Sequence, residues 1–192
     1  MNKKHLFALI LLLSAFLVDA QQATQSPRTV ILFNFDWKFH FGDIENAYSS
    51  DFNDSEWRKL DIPHDFQFEQ PWDQSAGGAR GFKAMSIGWY RKSFKADASW
   101  KDKKVLIDFE GIMLTGEVWL NGSKIGSTDY GYVGFESDIT KLIKYDGDNI
   151  IAVRASTGKT GSSRWYTGGG LFRVVNLVIK DKISIARHGV YI

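Results

Sequence analysis

Ile31-Leu32-Phe33-Asn34-Phe35-Asp36-Trp37-Lys38-Phe39-His40-Phe41 is the stretch whose reading decides the fold class. Successive side chains of a strand point to opposite faces. An extended chain therefore gathers Ile31, Phe33, Phe35, Trp37, Phe39 and Phe41 on one side, with mostly polar residues on the other. Outward from there the same period recurs in Trp89-Tyr90-Arg91-Lys92-Ser93-Phe94, Val105-Leu106-Ile107-Asp108-Phe109, Glu117-Val118-Trp119-Leu120 and Lys124-Ile125-Gly126-Ser127. Asn121-Gly122 separates the last two and favours the positive φ angles of a tight hairpin. Asp146-Gly147 precedes another strand over residues 149–155, and residues 172–179 form a β-branched run. Helical patterning is confined to Asp138-Ile139-Thr140-Lys141-Leu142-Ile143, a turn or two capped by Asp138. Roughly nine strands without βαβ alternation predict an all-β chain, an antiparallel β-sandwich of jelly-roll type. Residues 42–56, 66–86 and 156–169 resist strand assignment; loops of that length are expected to be functional or mobile.

The chain has 192 residues, no cysteine and a formal net charge of +2. Lys3 and Lys4 precede an apolar run over residues 6–17, followed by Asp19, Ala20 and a polar stretch. This reads as a secretory signal over residues 1–20, too short to span a bilayer of ~30 Å as a helix. The expectation is an exported protein, periplasmic or extracellular, with no membrane attachment after cleavage. Residues 21–182 suffice for one sandwich domain that folds without disulfides. The mature chain is nearly neutral and carries no block of like charge, so nothing points to nucleic acid. Seven Trp, seven Tyr and fourteen Phe suit a sandwich core and a sugar-stacking surface equally well.

No catalytic group is assignable. His40, His64 and His188 are too scattered for a metal cluster, and neither metal nor cofactor is expected. Gly77-Gly78-Ala79-Arg80-Gly81 lacks the strand-then-helix context of a phosphate cradle. Two segments carry more information: Asp61-Ile62-Pro63-His64-Asp65-Phe66, and Ser162-Ser163-Arg164-Trp165-Tyr166-Thr167-Gly168-Gly169-Gly170-Leu171-Phe172-Arg173. Sugar recognition needs planar polar groups for vicinal hydroxyls and an aromatic face for the C–H side of the ring. On composition alone, an equal alternative has Trp165 and Tyr166 plugging the end of the sandwich while Arg173 pairs with a core carboxylate.

These segments, with Asp54-Ser55-Glu56-Trp57-Arg58, Ile87-Gly88-Trp89-Tyr90-Arg91-Lys92-Ser93-Phe94, Phe109-Glu110-Gly111, Val118-Trp119-Leu120-Asn121-Gly122 and Gly131-Tyr132, resemble the N-terminal sugar-binding domain of glycoside hydrolase family 2. The Arg-Trp-Tyr form resembles its β-galactosidase branch. The resemblance implies a galactose-binding-domain-like jelly roll beside an immunoglobulin-like domain, whose start would be residues 183–192, and a catalytic (β/α)₈ barrel. The rest of the immunoglobulin-like domain and the barrel would lie beyond this chain. It further implies retaining hydrolysis by two glutamates on the barrel, a terminal β-linked sugar, with a galactoside favoured, as the carbohydrate partner, and substrate-binding roles for Asp65 and Arg164; the chemistry of the second segment adds Trp165 and Tyr166 as substrate-binding candidates. The sequence departs from the family pattern at Phe66, where Trp is more usual, and at Thr167, where Pro is. Arg164 stands where some relatives have aspartate. Two other readings stay open: a free-standing carbohydrate-binding module, and a structural sandwich whose loops bind protein.

Overall fold

The computed structural model describes residues 27–158 and 165–190. Among these, ten strands form two antiparallel sheets. The smaller sheet has the order β1 (Arg28–Leu32), β10 (Val175–Lys180), β5 (Lys104–Phe109), β8 (Phe135–Asp138). The larger runs β3 (Arg58–Leu60), β2 (Trp37–Phe41), β4 (Ile87–Lys95), β9 (Asp148–Ser156), β6 (Thr115–Leu120), β7 (Ser123–Thr128). The fold is the expected β-sandwich, in which most neighbours in a sheet are not consecutive in the chain, as in a jelly roll.

The opening stretch is not one strand. Asp36 adopts φ +57° and divides it, sending β1 into the smaller sheet and β2 into the larger. The six apolar residues accordingly do not share one face. Phe33, Trp37 and Phe39 enter the core, whereas Ile31, Phe35 and Phe41 remain exposed. Alternation recorded the extended backbone but could not register a left-handed residue that moves the chain between sheets.

Elsewhere the period of two is obeyed. Val105, Ile107 and Phe109 of β5 and Val175, Leu177 and Ile179 of β10 face Val118 and Leu120 of β6 and Ile151 and Val153 of β9. Asn121 and Gly122 take φ angles of 51° and 84°, the paired positive values of the anticipated β6–β7 hairpin. After β8 the chain makes one turn, with Asp138 Oδ1 accepting from the Thr140 amide at 3.0 Å and the Leu142 amide donating to Ile139. Following Lys180, the described residues form no further strand.

The long loop 42–56 proves to be a lid over the outer face of the larger sheet. Ala47 and Trp57 pack with Trp89 and Ala152, making a second small core. Tyr48 stacks on Trp119, and Trp119 on Trp89, at centroid distances of 5.5 and 5.4 Å. Asp43 accepts from Trp89 Nε1 and from Arg154, which together hold its carboxyl below the usual range despite partial burial. This loop is structural, and it explains why β4 is buried on both faces over Gly88–Arg91.

Candidate functional site

The two informative segments of the sequence meet at one end of the sandwich. After β3, a cis Ile62–Pro63 bond leads into residues 64–66. The His64 amide donates to Leu171 O at 2.8 Å and the Phe66 amide to Gly169 O at 3.0 Å. On the other side, Gly170 and Met113 exchange amide-to-carbonyl bonds of 2.7 and 2.8 Å. Residues 169–171 are thus held between 64–66 and Met113, far apart as these are in sequence.

Asp65 lies at this junction. Its Oδ1 accepts from the amides of Gly169, Gln67 and Phe68 at 2.8, 3.0 and 3.2 Å. The Tyr166 hydroxyl donates to Oδ2 at 2.5 Å. Burial first, and then the adjacent carboxylate, push the Tyr166 pKa upward, so the phenol stays a donor at neutral pH. Oδ1 is therefore committed to the backbone, while Oδ2 keeps acceptor capacity beyond the tyrosine. A Cβ on Gly168 would sit 2.9 Å from Oδ2, so that glycine keeps the carboxylate uncrowded.

Of the four residues singled out from the sequence, Asp65 and Tyr166 are brought into direct contact. Trp165 is adjacent and 69% exposed, so it does not plug the sandwich. Arg164 lies outside the described residues. Arg173 does not pair with a core carboxylate; its guanidinium lies over the Phe172 ring, 5.1 Å from the centroid. Phe66, at the position where Trp is more usual, is fully buried, and a Cβ on Gly88 would meet its ring at 2.7 Å.

Sequence reasoning did not reach the support behind Asp65. His64 Nδ1 is 2.8 Å from the Tyr90 hydroxyl, its Nε2 is 3.2 Å from Glu69 Oε1, and Arg58 donates to Glu69 Oε2 at 2.6 Å. His64 Nε2 also lies 3.1 Å from Arg58 Nη2, so the ring is held between the Tyr90 hydroxyl on one side and the Arg58–Glu69 pair on the other. The adjacency of His64 and Asp65 was visible in the sequence; their partners 26 and 101 residues away were not.

Desolvation lowers the His64 pKa even though Glu69 opposes it. A histidine with a folded pKa below its unfolded value of about 6.5 binds fewer protons when folded. Its contribution to stability is therefore fully present above that value and is lost as pH falls below it. For Glu69, burial alone would raise the pKa, but the bonds from Arg58 and His64 outweigh it and the net shift is downward; that contribution is lost at still lower pH. Urea unfolding should thus show stability declining in two steps on acidification. In His64→Gln the upper step should vanish, and a step that persisted would refute the assignment.

Residues 66–86 wall the site. Lys83 Nζ donates to Phe68 O at 3.2 Å and to Gln70 O, and lies 4.4 Å from the Trp72 ring centroid. The Asp73 amide donates to Phe82 O at 2.8 Å, and Gly81, at φ +63°, packs against Tyr166. Among the described residues no group of three or more His, Cys, Asp or Glu is arranged to hold a metal ion.

The family model described as glycosyl hydrolase 2 galactose-binding domain-like matches residues 84–164. A β-galactosidase of Bacteroides ovatus is 38% identical over 169 residues, covering 87% of this chain and 20% of its own length. A β-glucuronidase of Formosa agariphila is 32% identical, over 84% of this chain and 18% of its own. Among solved structures, a β-glycosidase from Bacteroides vulgatus superposes with a TM-score of 0.75 at 44% identity, covering 79% of this chain and 20% of that one. The chain therefore spans about a fifth of the length of these relatives.

Proposed function

Since the chain belongs to glycosyl hydrolase family 2, as its galactose-binding-like N-terminal domain, we propose that its loop end contributes contacts to the terminal sugar of a β-galactoside. The cleavage itself would be performed by glutamates on a barrel domain outside this chain. The observation that carries the reading is Asp65 Oδ2, which is fixed by Tyr166 yet still able to accept a sugar hydroxyl. Trp165, exposed beside it, supplies an aromatic face for the ring, and Arg164 adds a cation from the same segment. The Arg164-Trp165-Tyr166 form, similar to that of the β-galactosidase branch, favours a galactoside over a glucuronide. The protein would act after export, directed by the basic and apolar residues at its start.

With the remainder of the sugar site on another domain, affinity should be no tighter than about 1 mM. Saturation-transfer NMR with methyl β-D-galactopyranoside and methyl β-D-glucuronide tests the reading. The galactoside should bind saturably and the glucuronide more weakly. Tyr166→Phe should weaken galactoside binding roughly tenfold through loss of one positioned hydrogen bond, with the fold retained. Equal binding by wild type and variant would remove Asp65 and Tyr166 from the sugar site.

A further inference from the structure

Asp65 begins a tight turn that closes on the residue before it. Its Oδ1 accepts from the amides of Gln67 and Phe68, and the Gln70 amide donates to Gln67 O at 3.2 Å. Glu69 reaches back from the same turn to His64, with Oε1 3.2 Å from Nε2, while its Oε2 takes the Arg58 bond at 2.6 Å. The backbone on either side of Asp65 is fixed by residues 169–171, through the His64 and Phe66 amides. The carboxylate itself is set by three amides, and two of these belong to the turn that Glu69 ties down.

His64 joins this turn to the larger sheet. Its side chain is only 11% exposed. The ring meets Phe39 of β2 edge-on at 4.7 Å between centroids, Nδ1 meets the Tyr90 hydroxyl of β4, and Nε2 meets Arg58 of β3. Three strands therefore hold the imidazole, and Glu69 carries that hold to the turn. The charged and titratable groups facing the ring are Arg58, Glu69 and Asp65, with the Tyr90 phenol. A neutral imidazole has one donor and one acceptor, so it serves Tyr90 with one nitrogen and the Arg58–Glu69 pair with the other. Protonation turns both nitrogens into donors and places a second cation 3.1 Å from the guanidinium. The two cations then compete for Glu69, and the arrangement that sets the turn is redrawn.

We propose that His64 is a positioning residue for the sugar contact: with Arg58 and Glu69 it braces the turn whose amides aim the Asp65 carboxylate, and the brace is set for binding while the imidazole is neutral. The inference rests on the Asp65 reading and adds a control to it, because a proton on His64 redraws the brace without touching the carboxylate. Burial opposes that proton, Glu69 favours it and Arg58 opposes it; burial prevails, so the ring is neutral at neutral pH and the change falls in mildly acidic solution. Galactoside affinity is therefore expected to fall as pH drops below about 6.5, in a range where carboxylates ordinarily stay ionised.

The test is NMR titration of the chain with methyl β-D-galactopyranoside between about pH 7.5 and 5, for wild type, His64→Gln, His64→Ala and Glu69→Gln, with the His64 ring protons followed to read its own titration. Wild type should lose about tenfold in affinity across this range, the worth of one positioned hydrogen bond. By linkage, saturating galactoside should lower the His64 midpoint by about one pH unit. Glutamine reaches as far as Nε2 and donates to Glu69 without taking up a proton. His64→Gln should therefore bind better than His64→Ala at neutral pH and show no fall on acidification. Glu69→Gln removes the charge that favours the proton, so its fall should move to lower pH. A flat wild-type profile, a fall equally present in His64→Gln, or a midpoint unmoved by Glu69→Gln overturns the role of His64 and leaves the Asp65 reading intact. Failure of wild type to bind the galactoside at neutral pH overturns both. Should the His64 variants not fold, the Glu69→Gln profile decides alone, since that side chain is 39% exposed on a loop.

Discussion

Arg91→Met is expected to destabilise the domain by about 3–5 kcal/mol, the cost of removing one partner from a buried ion pair. The Arg91 side chain is 1% exposed. Its Nε meets Asp54 Oδ2 at 2.8 Å, its Nη1 donates to the carbonyls of Ala47 and Ser49, and its Nη2 to that of Phe52 at 3.5 Å. One guanidinium thus ties the lid 42–56 to the outer face of the larger sheet. Methionine fills much of the same space but donates nothing, so three carbonyls lose a donor. Among the described residues, Asp54 then keeps only Lys38 as an ion-pair partner, at 2.5 Å. Burial would raise the Asp54 pKa, but its bonds to Lys38 and Arg91 prevail and lower it. At roughly 2–4 °C per kcal/mol for a domain of this size, the melting temperature should fall by about 10 °C. Trp89 and Trp119 should gain solvent exposure as the lid loosens, visible as a red shift in tryptophan emission. A loss below about 1 kcal/mol would mean that the lid is held by its apolar contacts alone.

Gly170→Ala should have a comparable effect by a different route. Gly170 has φ +111°, a conformation side-chain-bearing residues rarely adopt. A Cβ there would collide with the Tyr90 hydroxyl and lie 2.9 Å from His64 O. Backbone strain and overpacking together are expected to cost at least about 3 kcal/mol. Because residues 169–171 are bonded to both 64–66 and Met113, the displacement is carried to Asp65, so galactoside binding should fall with stability. Tyr90→Phe alone should cost about 1–2 kcal/mol, since it leaves His64 Nδ1 without its hydrogen-bond partner. In the Gly170→Ala background it should instead recover part of the loss by clearing the clash. A double-mutant cycle reads that coupling directly, and strict additivity would contradict the proposed crowding.

Much of the strand set was legible because burial in a sandwich imposes a period of two, and because Asn121-Gly122 has few conformational alternatives to a tight hairpin turn. The all-β class, the β6–β7 hairpin, β9 and the single turn after Asp138 follow from such local constraints. The family resemblance added the proposed sugar contacts and drew attention to Asp65 and Arg164. Hydrophobic alternation misled where a local conformational switch intervened: Asp36 breaks the opening stretch without any change in the alternating pattern.

The sequence by itself therefore determined the class of fold and the presence of long loops, and it singled out the two segments that the fold then brings together. Tertiary structure alone decided what those loops do. Loop 42–56 became a lid because Arg91, an outward-facing strand residue, needed its carbonyls and Asp54. Asp65 became a fixed carboxylate because amides of residues 67, 68 and 169 converge on one oxygen while Tyr166 takes the other. Local patterns report how each segment lies against solvent or core. They do not report which distant donor meets which acceptor, because that depends on sheet order, and sheet order is settled only when both apolar faces are buried together.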